Sequence, residues 1–208
     1  MSPGLGVDYV DIFYHHRPDL DTPLEETMGA LASAVKQGKA LYVGLSNYGA
    51  ERTSRACELL RGMGTPCLVH QPRYNIFDRR VEEEGVLRAI ADERIGTVVF
   101  SPLAQGVLAG RYLSGIPKDS RAATCSYKPD SVAGDDIQRR VLKLAKLAQE
   151  RGQSLPQLAL AWVLRQPAVT SAIIGASRPE QVVECARCLD AADFTAEELT
   201  RIDAICAS

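Results

Sequence analysis

Apolar and polar positions along the chain alternate between two patterns: short, near-continuous apolar runs, and longer stretches with an apolar residue every three or four positions. Asp8 to His16, in DYVDIFYHH, is β-branched and aromatic, and the polar HRPDLDTP takes over from it. That pattern predicts a strand leaving a sheet into a loop. Between Pro23 and Lys39, Leu24, Met28, Leu31 and Val35 recur at helical spacing, with Thr22 as N-cap, Pro23 in the first turn and Gly38 as the stop. Ala40 to Leu45 then reads as a buried strand, Ser46 to Tyr48 as a polar turn and Ala50 to Met63 as an amphipathic helix. Cys67 to Gln71, followed by a helix around Val81 to Ala91, and Thr97 to Ser101 are third and fourth strands of the same kind. Runs this apolar predict parallel strands covered on both faces.

Beyond Ser101 the pattern lapses. Ser114 to Gly134 carries Gly, Pro, Ser and Asp without periodicity, which predicts a long loop of the functional or disordered kind, with a flap expected. Helices are expected at Asp135 to Gln149 and Leu155 to Leu164, a fifth strand at Val169 to Ile174, and a helix from Arg178 to about Leu189. A last helix starts near Thr195, where T-A-E-E makes a capping-box pattern. The alternation implies α/β architecture in a single domain over residues 1–208, its parallel sheet either doubly wound or closed as a barrel. Five strands fall short of the eight that a barrel of about 250 residues needs.

Composition narrows the partners. With 46% hydrophobic and 24% charged side chains, the 208 residues can bury a real core. The balance of 24 basic against 26 acidic residues leaves no footprint for nucleic acid. No apolar run is long enough to span a membrane and the start carries no leader pattern, so a cytoplasmic protein is expected. Cys57, Cys67, Cys125, Cys185, Cys188 and Cys206 are scattered through the element patterns and read as reduced thiols. Cys185 and Cys188 form a C-x-x-C, which fits a redox pair, half a metal site, or two small residues on one helix face; no second pair or nearby His completes tetrahedral zinc.

In parallel sheets ligands gather at the carboxyl ends of strands. Those ends carry His15, His16 and Arg17; Ser46 and Asn47; His70, Gln71 and Arg73; Ser101; Gly175 and Ser177. Successive strand side chains point to opposite faces, so His15 and His16 cannot both serve one ligand; a single one could act as acid, base or donor to a carbonyl. Ser46, Asn47 and Gln71 suit a neutral carboxamide, and also suit an ordinary turn. No G-x-G-x-x-G follows a strand, yet Ile174-Gly175-Ala176-Ser177-Arg178 leads into a helix N-terminus, where a phosphate is favoured.

Taken in order, DYVDIFYHHRPD, VGLSNY, HQPRYN, FSPLAQGVLAGRYL and SAIIGASRPEQVVE resemble the fourth to eighth strand regions of the aldo-keto reductases, with the match running from Leu5 to Cys206. The last two motifs are similar to the L-glyceraldehyde 3-phosphate reductase and potassium-channel β-subunit branch. The resemblance implies a partial (β/α)8 TIM barrel lacking the first three βα units, and NADPH-dependent reduction of small aldehydes or ketones. It implies NADPH held in extended form, with Ser46, Asn47 and Gln71 around the carboxamide and Phe100 against the ring, where the family usually has Tyr or Trp. Ser101, Leu103, Gly106 and Arg111 would line the pyrophosphate. Gly175 opens the segment in which Ser177, Arg178 and Gln181 would meet the 2′-phosphate and Glu184 the adenine; Cys185 stands where the family has Asn.

His16 matches the family's catalytic histidine, which orients the substrate carbonyl. The family's tyrosine, lysine and aspartate lie on earlier strands and have no counterpart here. Impaired turnover is the expectation, because general-acid help contributes roughly 10²–10⁴-fold. The same gap predicts open parallel edges, suited to a second copy or a partner chain. Two other readings follow from it: a non-enzymatic nicotinamide-nucleotide-binding regulatory subunit, and a barrel remnant without independent function.

Overall fold

The computed structural model describes residues 6–110, 112 and 134–207. Its elements run β1 (Val10–His15), α1 (Leu24–Lys36), β2 (Ala40–Ser46), α2 (Ala50–Gly62), β3 (Cys67–Gln71), α3 (Arg80–Glu83), α4 (Val86–Asp92) and β4 (Gly96–Val99). Tight 3₁₀ turns at Ala104–Ala109 lead on to α5 (Asp135–Glu150), α6 (Leu155–Leu164), β5 (Ser171–Ala172), α7 (Pro179–Ala186), a second 3₁₀ turn at Arg187–Asp190, and α8 (Ala196–Ala207). The strands form one open sheet in the order β1-β2-β3-β4-β5, with β1 to β4 paired in parallel. This is the α/β arrangement expected of part of a (β/α)8 barrel.

The chain divides into two compact units. The first holds the described residues up to Arg73, with Arg80–Phe100 and Ala168–Ser171. Its core is built from Met28 and Leu31 of α1, Val43 and Leu45 of β2, Ala56, Cys57 and Leu60 of α2, and Cys67 of β3. Each fully buried aliphatic side chain there contributes roughly 1.5–3 kcal/mol. β1 is the end strand, and Phe13 on it and Leu41 and Tyr42 on β2 are exposed.

The second unit holds Tyr74–Arg79, the described part of Ser101–Pro167, and the residues from Ala172 onward. α6 is apolar on every side, with Leu155, Leu158, Ala159, Leu160, Trp162 and Val163 buried, and so it forms the centre. Its first turn is fixed by Gln157, whose Oε1 accepts the Ser154 main-chain N–H at 3.0 Å. α5 packs on it through a stripe of Val141, Leu144, Leu147 and Ala148. Trp162 has Arg165 over its ring at 3.8 Å and Arg79 at 4.7 Å.

Several expected boundaries shift. The helix expected at Val81 to Ala91 is two, because Gly85 at φ 72° turns the chain out of helical geometry. Thr22 does not cap α1; its hydroxyl donates to Asp19 at 2.7 Å, and the Pro23 carbonyl accepts the first helical N–H groups. The fifth strand is shorter than Val169 to Ile174, since Ile174 packs beside Leu160 and Cys188 instead of extending the ladder. The helix expected to reach Leu189 tightens after Ala186 into a 3₁₀ turn. Residues three apart eclipse there, and both Cys185 and Cys188 are buried. The flap expected at Ser114 to Gly134 lies outside the described residues apart from Gly134, the N-cap of α5.

Candidate functional site

In the first unit the carboxyl ends of β1, β2 and β3 are tied together by polar side chains. Ser46, only 2% exposed, donates its hydroxyl to the Gln71 carbonyl at 2.7 Å. Asn47 Nδ2 donates to the His16 carbonyl at 2.9 Å and meets Ser46 Oγ at 3.0 Å. Asn47 sits at φ 61°, a left-handed conformation that Asn adopts more readily than most residues. The structure therefore brings together His16, Ser46, Asn47 and Gln71, with the His16 side chain exposed. Phe100 is half-buried after β4, and its N–H donates to the Pro72 carbonyl at 3.0 Å beside Gln71.

Two residues inside the motifs, Tyr14 and Gly44, carry no role there but support these groups. Tyr14 hydrogen-bonds the Gln71 side chain, and burial raises its pKa more than that bond lowers it. Tyr14 pairs with Gly44 across β1 and β2, and its ring covers the glycine so closely that a Cβ there would lie 2.7 Å from Cε1. The apolar strand interrupted by a glycine was the available signal for that close approach.

His15 points away from His16, as alternation requires. Its Nδ1 is 2.7 Å from the Tyr48 hydroxyl, and the two rings meet edge-on. Burial lowers the His15 pKa, against an opposing effect of Asp19. The Tyr48 N–H donates to His70 Nε2 at 3.2 Å, so neutral His70 carries its proton on Nδ1. His70 is fully buried, which lowers its pKa to about 4.

In the second unit the segment after β4 is left-handed at Ser101, leaves that region at Leu103 with φ −95°, and returns to it at Ala104 to Gly106. Ser101 has φ 54°, Ala104 46°, Gln105 62° and Gly106 97°. Only the last is a glycine, so the run is strained, and strain of this kind clusters at ligand-holding loops. Asn75 fixes its start: Nδ2 donates to the Ser101 carbonyl at 3.0 Å while Oδ1 accepts the Phe77 and Asp78 N–H groups. The Tyr112 hydroxyl donates to the Gln105 carbonyl at 3.2 Å. Leu103 packs on the core around Leu160, Cys185 and Cys188. Arg111 lies outside the described residues.

Gly175, Ser177 and Arg178 are exposed ahead of α7. Gln181 Oε1 accepts the Ser177 N–H at 2.8 Å and the Arg178 N–H at 3.3 Å, so this side chain caps its own helix. The Glu184 carbonyl accepts from Gln157 Nε2 at 3.1 Å, joining α7 to α6. Cys185 faces the core, and burial raises its thiol pKa. Among the described residues no group of three or more His, Cys, Asp or Glu could hold a metal ion, and no helix is long and apolar enough to cross a membrane.

The sequence model of the Aldo/keto reductase family matches residues 2–207. The chain is 47% identical over 203 residues to L-glyceraldehyde 3-phosphate reductase of Escherichia coli (strain K12), an alignment covering 96% of this chain and 59% of that protein. It is 39% identical over 206 residues to a probable voltage-gated potassium channel subunit beta of Oryza sativa subsp. japonica, covering 97% and 63% respectively. A putative subunit of the same name from Schizosaccharomyces pombe (strain 972 / ATCC 24843) is 36% identical over 207 residues, covering 97% and 60%. The chain thus spans about three-fifths of the length of these relatives.

Proposed function

Because the chain belongs to the Aldo/keto reductase family, we propose that it is the nucleotide-holding portion of an NADPH-dependent reductase of small aldehydes and ketones. The bond from Asn47 to the His16 carbonyl carries this reading. It fixes the residue suited to a carboxamide against the residue suited to a substrate carbonyl.

Each unit, taken by itself, offers groups suited to a part of the nucleotide. Ser46, Asn47 and Gln71 offer uncharged polar groups for the carboxamide, with Asn47 Oδ1 as an acceptor because both Nδ2 hydrogens are engaged within the chain. Left-handed backbone at Ser101 and at Ala104 to Gly106 makes a strained loop of the kind that holds ligands, here the pyrophosphate. Arg178, exposed at the N-terminus of α7, meets a 2′-phosphate with a charge that the helix end reinforces. Bound NADPH supplies the hydride. The chain's own part is to hold and orient: Asn47 and Ser46 grip the carboxamide, Phe100 lies against the ring, and His16 offers a hydrogen bond to the carbonyl oxygen. The five described cysteines, all free thiols, fit a cytoplasmic setting.

Nicotinamide fluorescence titration tests this. NADPH binds tighter than NADH, and Arg178→Met removes most of the difference, about tenfold for one charge-assisted contact of roughly 1.5 kcal/mol. Equal affinity of the unaltered chain for both nucleotides refutes the Arg178 assignment. Cooperative unfolding that NADPH moves to higher temperature rules out a remnant that does not fold by itself.

A second reading rests on the relatives named as potassium channel subunits. In it the chain binds the nucleotide and regulates a partner protein. Stoichiometric co-purification of one partner supports it, and reductase turnover by the isolated chain counts against it.

A further inference from the structure

Among the described residues the sheet has β1 at one margin and β5 at the other. β5 is two residues long and a poor template for another strand, whereas β1 runs for six in regular register with β2. Margins of that length are commonly blunted by proline, lysine or a bulge, and VDIFYH carries none of these.

Two bonds fix which way the main chain of β1 faces. The Val10 N–H donates to the Lys39 carbonyl at 3.1 Å, and the His16 carbonyl accepts from Asn47 at 2.9 Å. Even-numbered residues therefore turn their main-chain groups toward β2 and its following turn. Ladder groups alternate along a strand, so Asp11, Phe13 and His15 present theirs to the open margin. The side chains of these three share a face. Phe13 lies opposite Val43, which belongs to the core under α1 and α2, yet Phe13 itself is 46% exposed. Tyr9 and Leu41, both 54% exposed, extend the apolar strip on that side.

We propose that β1 pairs antiparallel with β1 of a second copy of this chain, about a two-fold axis through Phe13. An axis normal to the sheet pairs residues of the same face, and the residue that meets itself sets the whole register. With Phe13 opposite Phe13, Asp11 lies opposite His15 of the second copy and Tyr9 opposite Arg17. Each match is a favourable cross-strand pair: ring with ring, carboxylate with imidazole, ring with guanidinium. Tyr48 engages Nδ1 of His15, which leaves Nε2 for the carboxylate. Centring the axis on Ile12 instead sets Asp11 against Phe13, where it finds no polar partner. Pairing consumes the β1 margin of both copies, so association stops at two. The inference rests on register and charge, and it stands whether or not a nucleotide binds.

Sedimentation velocity of the full chain at rising concentration is expected to show a monomer–dimer equilibrium and nothing larger. Phe13→Lys sets two like charges opposite each other at the axis and is expected to weaken dimerisation about tenfold. Phe13→Cys places two thiols directly opposite, where Cα atoms about 5.5 Å apart lie within reach of a disulfide. Diamide is then expected to join tryptic peptide 1–36, which holds no native cysteine, to a second copy of itself. Asp11→Cys sets its two thiols on opposite flanks of the axis and is expected to give no such link. A chain that stays monomeric at every concentration overturns the proposal, as does linkage through Asp11→Cys in preference to Phe13→Cys. A dimer that Phe13→Lys leaves unchanged lies on another surface and overturns it equally. Wild-type sedimentation and the two cysteine variants decide the matter even if the lysine variant fails to fold.

Discussion

The side-chain amide of Asn47 donates to the main-chain carbonyl of His16 at 2.9 Å, although 31 positions separate the two residues. The bond joins the turn after β2 to the end of β1, and Asn47 makes it from a left-handed backbone at φ 61°. Two contributions are therefore separable by substitution. Asn47→Gly loses the bond but relaxes the backbone; Asn47→Ala loses the bond and keeps the strain, worth roughly 1–2 kcal/mol. Urea unfolding is expected to show the alanine variant as the less stable by about 1 kcal/mol. Both variants are expected to weaken the proposed binding of NADPH, and equal stability of the two would mean that the left-handed conformation carries no cost.

Gly44 is a second point of close contact. A Cβ there meets Tyr14 Cε1 at 2.7 Å, Cδ1 at 2.8 Å and Val69 Cγ1 at 3.0 Å, in the middle of two paired strands. Gly44→Ala is expected to cost roughly 1–3 kcal/mol by overpacking. Adding Tyr14→Leu removes the obstructing ring, so the double variant should lose less than the sum of the singles. Strict additivity in urea titrations would place the cost elsewhere.

The strands and helices were legible because each depends on local pattern: Cys67–Gln71 and Leu155–Leu164 fall where periodicity put them. The polar strand ends were legible for the same reason. The partners of those ends were not. The His15–Tyr48 bond spans 33 positions, and only the register of β1 against β2 decides which of two adjacent histidines meets that hydroxyl. The run at Ala104 and Gln105 was hidden because left-handed backbone is expected at Gly and Asn, and these residues are neither. Asn75 stood in a quoted motif, but its grip on Ser101 requires a turn that closes through Phe77 and Asp78.

His70 predicts a pH dependence. Its folded pKa, about 4, lies below the ordinary 6.5 because burial disfavours the charged ring. As pH falls through 6.5 the unfolded chain gains this proton while the folded chain resists until about 4. The stabilisation is therefore complete above 6.5 and is lost progressively between those values, about 3 kcal/mol in all. His70→Gln retains an acceptor for the Tyr48 N–H and removes the titration. Urea midpoints measured from pH 7 to pH 4 should fall more steeply for the unaltered chain than for the variant. Parallel profiles would show that His70 takes up its proton without resistance in the folded chain.

Gln181 has two assignments that one substitution separates. Its Oε1 accepts the Ser177 and Arg178 N–H groups, which fixes the first turn of α7. It is also one of the residues proposed to meet the 2′-phosphate. Gln181→Glu keeps an acceptor at that atom and adds a charge favourable to a helix N-terminus, so stability should hold or rise by a few tenths of a kcal/mol. The same charge repels a phosphate beside Arg178, and affinity for NADPH should fall several-fold while affinity for NADH changes little. Gln181→Ala removes the cap and is expected to cost about 1 kcal/mol. A Glu variant that binds both nucleotides as the unaltered chain does would restrict Gln181 to capping and leave Arg178 and Ser177 to hold the phosphate.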